Sequence, residues 1–264
     1  MAMVFGVLLA PGGAWISGIL ATVFISLPAL GLLVGARDGR RRDRLHLLVA
    51  ALTGIGALGV LLGFALATGN DPGQWLANRW AAIIPEQIAA YRKGGWSESS
   101  LNGVARLYDI FRLLLAEHLP GLVLALSVLY SAVLVYPVCS LMGLGEQGLS
   151  ETSFGRFFTP IEAAMVFVPA GLAAALAPPE WSRPAVDLLF PLAVLFFLRG
   201  LAIIRVLLDR GRAGIIGRAL VYTLLFQMPF PLILALGGLF DEFLNVRARL
   251  ERADARRDSA GPGE

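Results

Sequence analysis

Long apolar blocks dominate this sequence, and they restrict the chain to a membrane protein built from helices. Each block approaches the roughly 20 residues that a helix needs to cross a bilayer, well beyond the ~11-residue helix of a typical soluble protein. Hydrophobic residues make up 57% of the chain and charged residues 16%, whereas soluble domains contain about 45–50% and about 25%. The sequence therefore predicts an all-α fold, a polytopic membrane helix bundle of about six transmembrane helices over residues 14–36, 46–68, 119–144, 160–177, 185–207 and 219–240.

The stretch 69–118 interrupts this pattern, because charged residues recur in it too often for a membrane span. Its tryptophans alternate with arginines and glutamates, which is typical of amphipathic helices that lie at the membrane surface with tryptophan at headgroup depth. A soluble catalytic insert is the alternative, but about 50 residues form too small a core. We therefore predict a transmembrane domain over 1–242 with an interfacial insert, and a tail over 243–264 that is first amphipathic and then polar and disordered.

Five arginines in the loop 37–45 give the strongest orientation signal. Short arginine-rich loops stay in the cytoplasm, so we place this loop inside. Strict alternation then puts 69–118 outside and the basic loop 208–218 inside, but it also puts the arginine-rich tail outside. Acidic neighbours in the tail, a re-entrant last block, or a crossing segment within 69–118 would each remove the conflict. The side of the tail stays open.

Composition and motifs exclude several function classes. The net charge of +3 does not indicate nucleic-acid binding, because the basic residues cluster at the ends of apolar blocks, as the positive-inside bias and anionic lipid require. With Cys139 as the single cysteine, and His46 and His118 far apart, a metal site is not expected. No catalytic motif is visible, so we expect no enzyme and no cofactor.

Arg199 is the most informative polar residue, because it lies well inside the fifth apolar block. An arginine at this depth costs at least about 2.5 kcal/mol, so it must face a partner, water or a cavity. The functional interpretation is a contact to a ligand or ion, and the structural one is a buried pair or a side chain that reaches toward the interface. The candidate binding residues around it are Glu162, Tyr222 and Gln227, and Glu162 also suits a helix amino end.

Two further features allow two interpretations each. Asp241, Asn245 and Arg247 lie where the last span leaves the membrane; they form either a solvated helix end or a docking site for a partner protein. Gly59 and Gly63 have the spacing that lets helices approach closely in lipid. We expect this pair to pack within the protomer, with a dimer interface as the alternative.

The carboxy-terminal third resembles a known family. The segments that carry the resemblance are residues 154–162 (FGRFFTPIE), 190–204 (FPLAVLFFLRGLAII) and 238–247 (GLFDEFLNVR). They are similar to the YybS-like family of predicted bacterial membrane proteins, domain of unknown function 2232, most closely over about 150–250. The family has no established activity, and the resemblance implies a fold similar to the substrate-binding subunits of energy-coupling-factor vitamin transporters. Arg199 departs from the neutral polar residue expected there, which puts any shared ligand chemistry in doubt.

Two functions are compatible with these observations. The first is binding or transport of a small metabolite, as in a vitamin-transporter subunit, and it is slightly favoured. The alternative is a non-transporting scaffold that contacts another membrane protein of the bacterial envelope. A polar cavity around Arg199 would favour binding, whereas a tightly packed pair would favour the scaffold. Lys93 is the only lysine among 22 basic residues, a bias typical of GC-rich bacterial genomes, so we expect a multi-pass protein of the inner membrane in contact with its lipid bilayer.

Overall fold

The chain is helical throughout the part that the structure describes. The computed structural model describes residues 14–37, 42–141, 157, 159–211, 214–227 and 229–244. These residues form helices α1 (Ala14–Arg37), α2 (Arg42–Thr68), α3 (Pro72–Lys93), α4 (Glu98–Leu141), α5 (Ile161–Leu176), α6 (Pro179–Arg210), α7 (Ile215–Leu225) and α8 (Phe230–Leu244). An α-helix pairs its backbone N–H and C=O groups internally, which is necessary in a bilayer because lipid chains offer no hydrogen-bond partners. The prediction of an all-α membrane protein is confirmed.

The described residues contain fewer candidate membrane spans than the sequence predicts. Among them, three helical stretches are long and apolar enough to cross a bilayer: Arg44–Thr68, Glu98–Tyr136 and Pro179–Arg210. A fourth results if α7 and α8, which are bent by 98° at a short break, count as one span. Gly18–Val34 in α1 and Ile161–Leu176 are shorter apolar helices. Helix α5 has 16 residues, about 24 Å at 1.5 Å per residue, which is short of a bilayer core of about 30 Å. The six-span count is therefore not confirmed.

Helix α4 consists of two helical segments that meet at a kink. The predicted insert 69–118 contains α3 and the first segment of α4, and the predicted third span, 119–144, begins directly after the kink. The helix kinks at His118, where φ is −129° and ψ is 26°, two residues before Pro120. A proline inside a helix removes a backbone donor and bends the axis without ending the helix. Whether the insert lies at the membrane surface stays a prediction.

The described residues divide into two compact units. The first contains residues up to Val135 together with Ala170–Pro191, and the second contains Tyr136–Pro169 together with the residues from Leu192 onward. Two of the predicted features lie partly or wholly outside the described residues: the arginine loop, at 38–41, and the tail beyond Leu244.

Glycines allow close packing in the first unit. A Cβ atom at Gly31 in α1 would lie 2.9 Å from the Val49 side chain of α2. Tyr130 of α4 donates to the Phe24 carbonyl of α1 at 2.9 Å. In contrast, a Cβ at Gly59 or Gly63 would meet nothing within 4 Å. In the part of the chain that the structure describes, these two glycines therefore do not form the close helix contact that we expected within the protomer.

Helix α3 packs its amino-terminal half against α4. Asp71 caps the helix, its Oδ1 accepting from the Gln74 backbone amide at 2.8 Å, as acidic and amide residues at this position commonly do. A Cβ at Gly73 would lie 2.7 Å from the Leu115 carbonyl oxygen. Ala77 packs with Leu115 and Leu119 in a buried apolar cluster. The first half of α4 is thus fixed to α3 within this unit.

Candidate functional site

Arg199 lies in α6 and is almost completely buried, with 5% of the residue exposed. Its Nε donates to Oδ2 of Asp241 at 2.9 Å, and its Nη1 donates to Oγ1 of Thr159 at 2.5 Å. The same Nη1 forms an ion pair with Glu242. Charge-assisted hydrogen bonds of this kind are roughly twice as strong as neutral ones. We refer to Arg199, Asp241, Glu242 and Thr159 as the arginine cluster.

A close helix crossing brings the arginine cluster together. Gly200 follows Arg199 in α6, and a Cβ at this position would overlap the Leu234 backbone carbonyl of α8. A Cβ at Gly238 would overlap the Phe196 backbone carbonyl in the same way. Small residues at such a crossing let helix backbones approach closely. Asp241 lies about one turn after Gly238, so the crossing positions its carboxylate beside Arg199.

Thr159 and Glu242 complete the acceptors around the guanidinium. Thr159 is fully buried, and its hydroxyl donates to Oε2 of Glu242 at 3.1 Å while it accepts from Arg199. A hydroxyl has one donor and two acceptor positions, so it can link the two charged groups. The Glu242 side chain is 8% exposed. The guanidinium of Arg199 thus contacts three side chains of the same chain.

Apolar side chains surround the cluster. Phe196, one turn before Arg199, is fully buried and packs with Ala163, Ala164 and Leu239. Its ring contacts Phe167 edge to face, with 5.2 Å between ring centroids. Low-polarity surroundings strengthen electrostatic attraction and raise the cost of leaving a charge unpaired. The arginine cluster therefore functions as a buried ionic link between α6 and α8.

The residues predicted to surround Arg199 lie on α5, on α7 and after it. Glu162 is exposed in the first turn of α5, Tyr222 is half-buried in α7, and Gln227 is exposed in the break between α7 and α8. The ion pairs that Arg199 forms with Asp241 and Glu242 were not among the predicted contacts.

Of the three residues predicted to form a docking site, the structure describes Asp241. Asp241 is 1% exposed and belongs to the arginine cluster, whereas Asn245 and Arg247 lie outside the described residues. Sequence reasoning missed Thr159 and Glu242 as partners of Arg199. The acidic pair at 241–242, directly after the last apolar block, was the available signal, since a buried arginine needs carboxylates at a helix end that it can reach.

A second polar pair lies in the first unit. Nδ1 of His118, at the kink of α4, lies 3.1 Å from Oδ1 of Asp187 in α6, and both side chains are largely buried. A Cβ at Gly121 would lie 2.6 Å from the Asp187 Cα atom. The pair connects α4 to the amino-terminal part of α6. Within the part of the chain that the structure describes, no group of three or more histidine, cysteine or acidic residues could hold a metal ion.

An open groove runs along the start of α3, with a volume of about 350 Å³. The Arg79 guanidinium lies over the Trp75 ring, 4.8 Å from the ring centroid. The groove is lined by Asn70, Asp71, Gln74, Trp75, Asn78, Arg79 and Ala82. Its volume falls at the lower end of the range of small-molecule sites, about 300–1,000 Å³, but its lining comes from one short stretch of chain.

Comparison with known proteins identifies a family. The family model described as "Predicted membrane protein (DUF2232)" matches residues 1–242 of the chain, so the family resemblance noted in the sequence is confirmed. No curated protein and no solved structure matches the chain. The likeness to vitamin-transporter subunits therefore rests on the family resemblance alone.

Proposed function

Because this chain belongs to the DUF2232 family of predicted membrane proteins, we propose that it is a multi-pass scaffold protein of the bacterial inner membrane. In this role it would contact another membrane protein of the envelope and would neither transport a solute nor catalyse a reaction. The observation that carries the proposal is the arginine cluster, in which the buried guanidinium of Arg199 is paired with carboxylates of the same chain.

The packing around Arg199 argues against a solute site at this position. A transporter holds its substrate near the middle of the bilayer, where broken helices and polar groups line a cavity. The Arg199 side chain is 6% exposed and its acceptors are side chains of α8 and Thr159. The crossing at Gly200 and Gly238 has no space for even one added methyl group. A closed ionic link of this kind favours a static helix pair.

The first half of α4 offers a surface for a partner. Leu107, Ile110 and Leu113 are each more than half exposed, and their three-residue spacing places them along one side of the helix. They lie in the part of the chain that the sequence places outside the membrane span. Exposed apolar side chains grouped in this way are typical of contacts with proteins or membranes.

Binding or transport of a small metabolite remains the second candidate. The 98° bend between α7 and α8 favours it, because discontinuous helices form the substrate sites of many transporters. The groove at the start of α3 is the second observation in its favour. None of the residues of the arginine cluster belongs to the bend or to the lining of the groove. A solute site would therefore have to use other residues.

Thiol accessibility distinguishes the two candidates. In a Cys139→Ser background, we expect Thr159→Cys to stay unreactive toward a water-soluble maleimide, whether or not the membrane is energised, because Thr159 is fully buried. Ser99→Cys, a matched replacement on the exposed start of α4, should react readily and serves as the control. Labelling of Thr159→Cys that depends on a solute or on energisation would contradict the scaffold and support transport.

Ligand screening provides an independent test. A binder is stabilised by RT ln(1 + [L]/Kd), which is about 2.7 kcal/mol at a ligand concentration of one hundred times Kd. For a scaffold, we expect no saturable shift in the unfolding temperature of the purified protein across a panel of vitamins and other metabolites. A saturable shift with one compound would favour the second candidate.

A further inference from the structure

The corner between α6 and α7 concentrates positive charge. Residues 205–218 contain four arginines and one aspartate, a net charge of +3. Arg218 of α7 donates to Asp209 of α6 at 2.9 Å, and Arg205 lies 3.8 Å from the other carboxylate oxygen of Asp209. The Asp209 carboxylate thus lies close to both guanidinium groups. Both arginine side chains remain 42% exposed.

Exposed apolar side chains adjoin this charge. Ile215 and Ile216, in the first turn of α7, are 86% and 80% exposed, and Leu220 is 67% exposed. Exposing these side chains to water would cost roughly 25 cal/mol per Å² of apolar surface. The acyl region of a membrane covers such side chains.

The length of α7 and its bend from α8 fit a helix that lies along a membrane surface. Its 11 residues extend only about 16 Å, which is half of a bilayer core of about 30 Å. The helix is also bent by 98° from α8, so the two cannot both follow the membrane normal. An apolar helix next to arginines, lying in the plane of the membrane, is the arrangement of interfacial helices that bind anionic lipid.

From these three observations we infer that Arg205, Arg218, Ile215 and Ile216 form a binding site for an anionic phospholipid of the cytoplasmic leaflet. The arginines contact the headgroup phosphate, to which guanidinium groups bind in a forked geometry. The isoleucines contact the upper part of the acyl chains. The four arginines of residues 205–218 indicate the cytoplasmic side for this corner, because short basic loops stay in the cytoplasm, and the anionic lipids of that leaflet attract basic groups.

The test compares lipids that differ only in charge. The full-length protein, purified in detergent, is titrated with dioleoyl phosphatidylglycerol or dioleoyl phosphatidylcholine, and bound lipid is counted by native mass spectrometry. We expect preferential binding of phosphatidylglycerol. Replacing Arg205 and Arg218 together by Gln should weaken that binding about 25-fold, because each arginine near an anionic surface contributes about fivefold.

Controls separate this site from general charge effects. The change Arg92→Gln, on an exposed arginine at the end of α3, should leave phosphatidylglycerol binding unchanged. The pair Arg205→Lys with Arg218→Lys should bind more tightly than the Gln pair but more weakly than the wild type, because lysine keeps the charge and loses the forked geometry. Ile215→Ser with Ile216→Ser should also weaken lipid binding, and 10 mM inorganic phosphate should not compete. Equal binding of the two lipids, unchanged binding in the Arg205/Arg218 double Gln variant, or competition by phosphate would each overturn the inference. Should the Gln variant not fold, the isoleucine variant decides.

Discussion

Gly200 in α6 and Gly238 in α8 lie at one helix crossing, where a Cβ atom on either residue would overlap a backbone carbonyl of the other helix. The contact is between backbones, so no rotamer change can relieve an added methyl group. Arg199 adjoins the first glycine, and Asp241 follows the second by about one turn. The same crossing therefore determines both the packing distance and the ion pair.

Gly238→Ala is expected to destabilise the protein by about 1–3 kcal/mol, the usual cost of overpacking in a well-packed interior. The neighbouring change Gly237→Ala is the matched control, since a Cβ there would meet nothing within 4 Å. It should be neutral or stabilising by up to about 1 kcal/mol, because alanine favours the helix. Thermal unfolding of both variants in the same detergent measures the difference. Equal stability of the two variants would contradict the close crossing.

Arg199→Leu is expected to destabilise by about 3–5 kcal/mol, because it leaves two buried carboxylates without their cation. Adding Asp241→Asn and Glu242→Gln should recover a large part of this loss, and such strong non-additivity is the sign of a true ionic cluster. In contrast, Glu162→Gln should add to Arg199→Leu without coupling, since Glu162 is exposed. Chemical or thermal unfolding of these variants, and of Asp241→Asn with Glu242→Gln alone, supplies the energies for the cycle. A coupling between Arg199 and Glu162 would show that the cluster is wrongly assigned.

Several helices could be predicted from the sequence because apolar block length is a strong signal. The block 46–68 corresponds to α2, which ends at Thr68, and the block 185–207 lies within α6. The amphipathic helices expected within 69–118 correspond to α3 and the first segment of α4, and the predicted start of the third span at 119 follows the kink at His118. The sixth block was divided by Pro229 and Pro231, and local sequence does not give the 98° bend that results.

The need of Arg199 for a partner could be predicted, but the partner itself could not. The cost of a charge at membrane depth follows from the residue and its position alone. The acceptor depends on which helix crosses α6 at that height, and Asp241 is 42 residues away in the chain. The glycines at the crossing carry that information, but nothing in the sequence distinguishes Gly200 and Gly238 from the other glycines among the 30 of this chain. The partner of Arg199 therefore follows from the packing of α8 against α6 and not from the sequence alone.

The loop 37–45 is expected to be cytoplasmic, because five arginines in a short loop resist translocation. A cysteine placed at Gly39 in a Cys139→Ser background should resist a membrane-impermeant thiol reagent in intact cells. Ser99→Cys, in the stretch that alternation places on the other side, should react under the same conditions. Permeabilised cells provide the control that Gly39→Cys is reactive at all. Ready labelling of Gly39→Cys in intact cells would reverse this orientation.

The last prediction concerns the contact of α4 with the amino-terminal part of α6. A Cβ at Gly121 would lie 2.6 Å from the Asp187 Cα atom, whereas a Cβ at Gly103 in the same helix would meet nothing within 4 Å. Gly121→Ala should therefore destabilise by about 1–3 kcal/mol, and Gly103→Ala should not. Because the displaced backbone also carries the carboxylate that contacts His118, His118→Ala should cost less in the Gly121→Ala background than in the wild type. A double-mutant cycle by thermal unfolding measures this coupling. Strictly additive effects would mean that the glycine contact and the His118–Asp187 pair are independent.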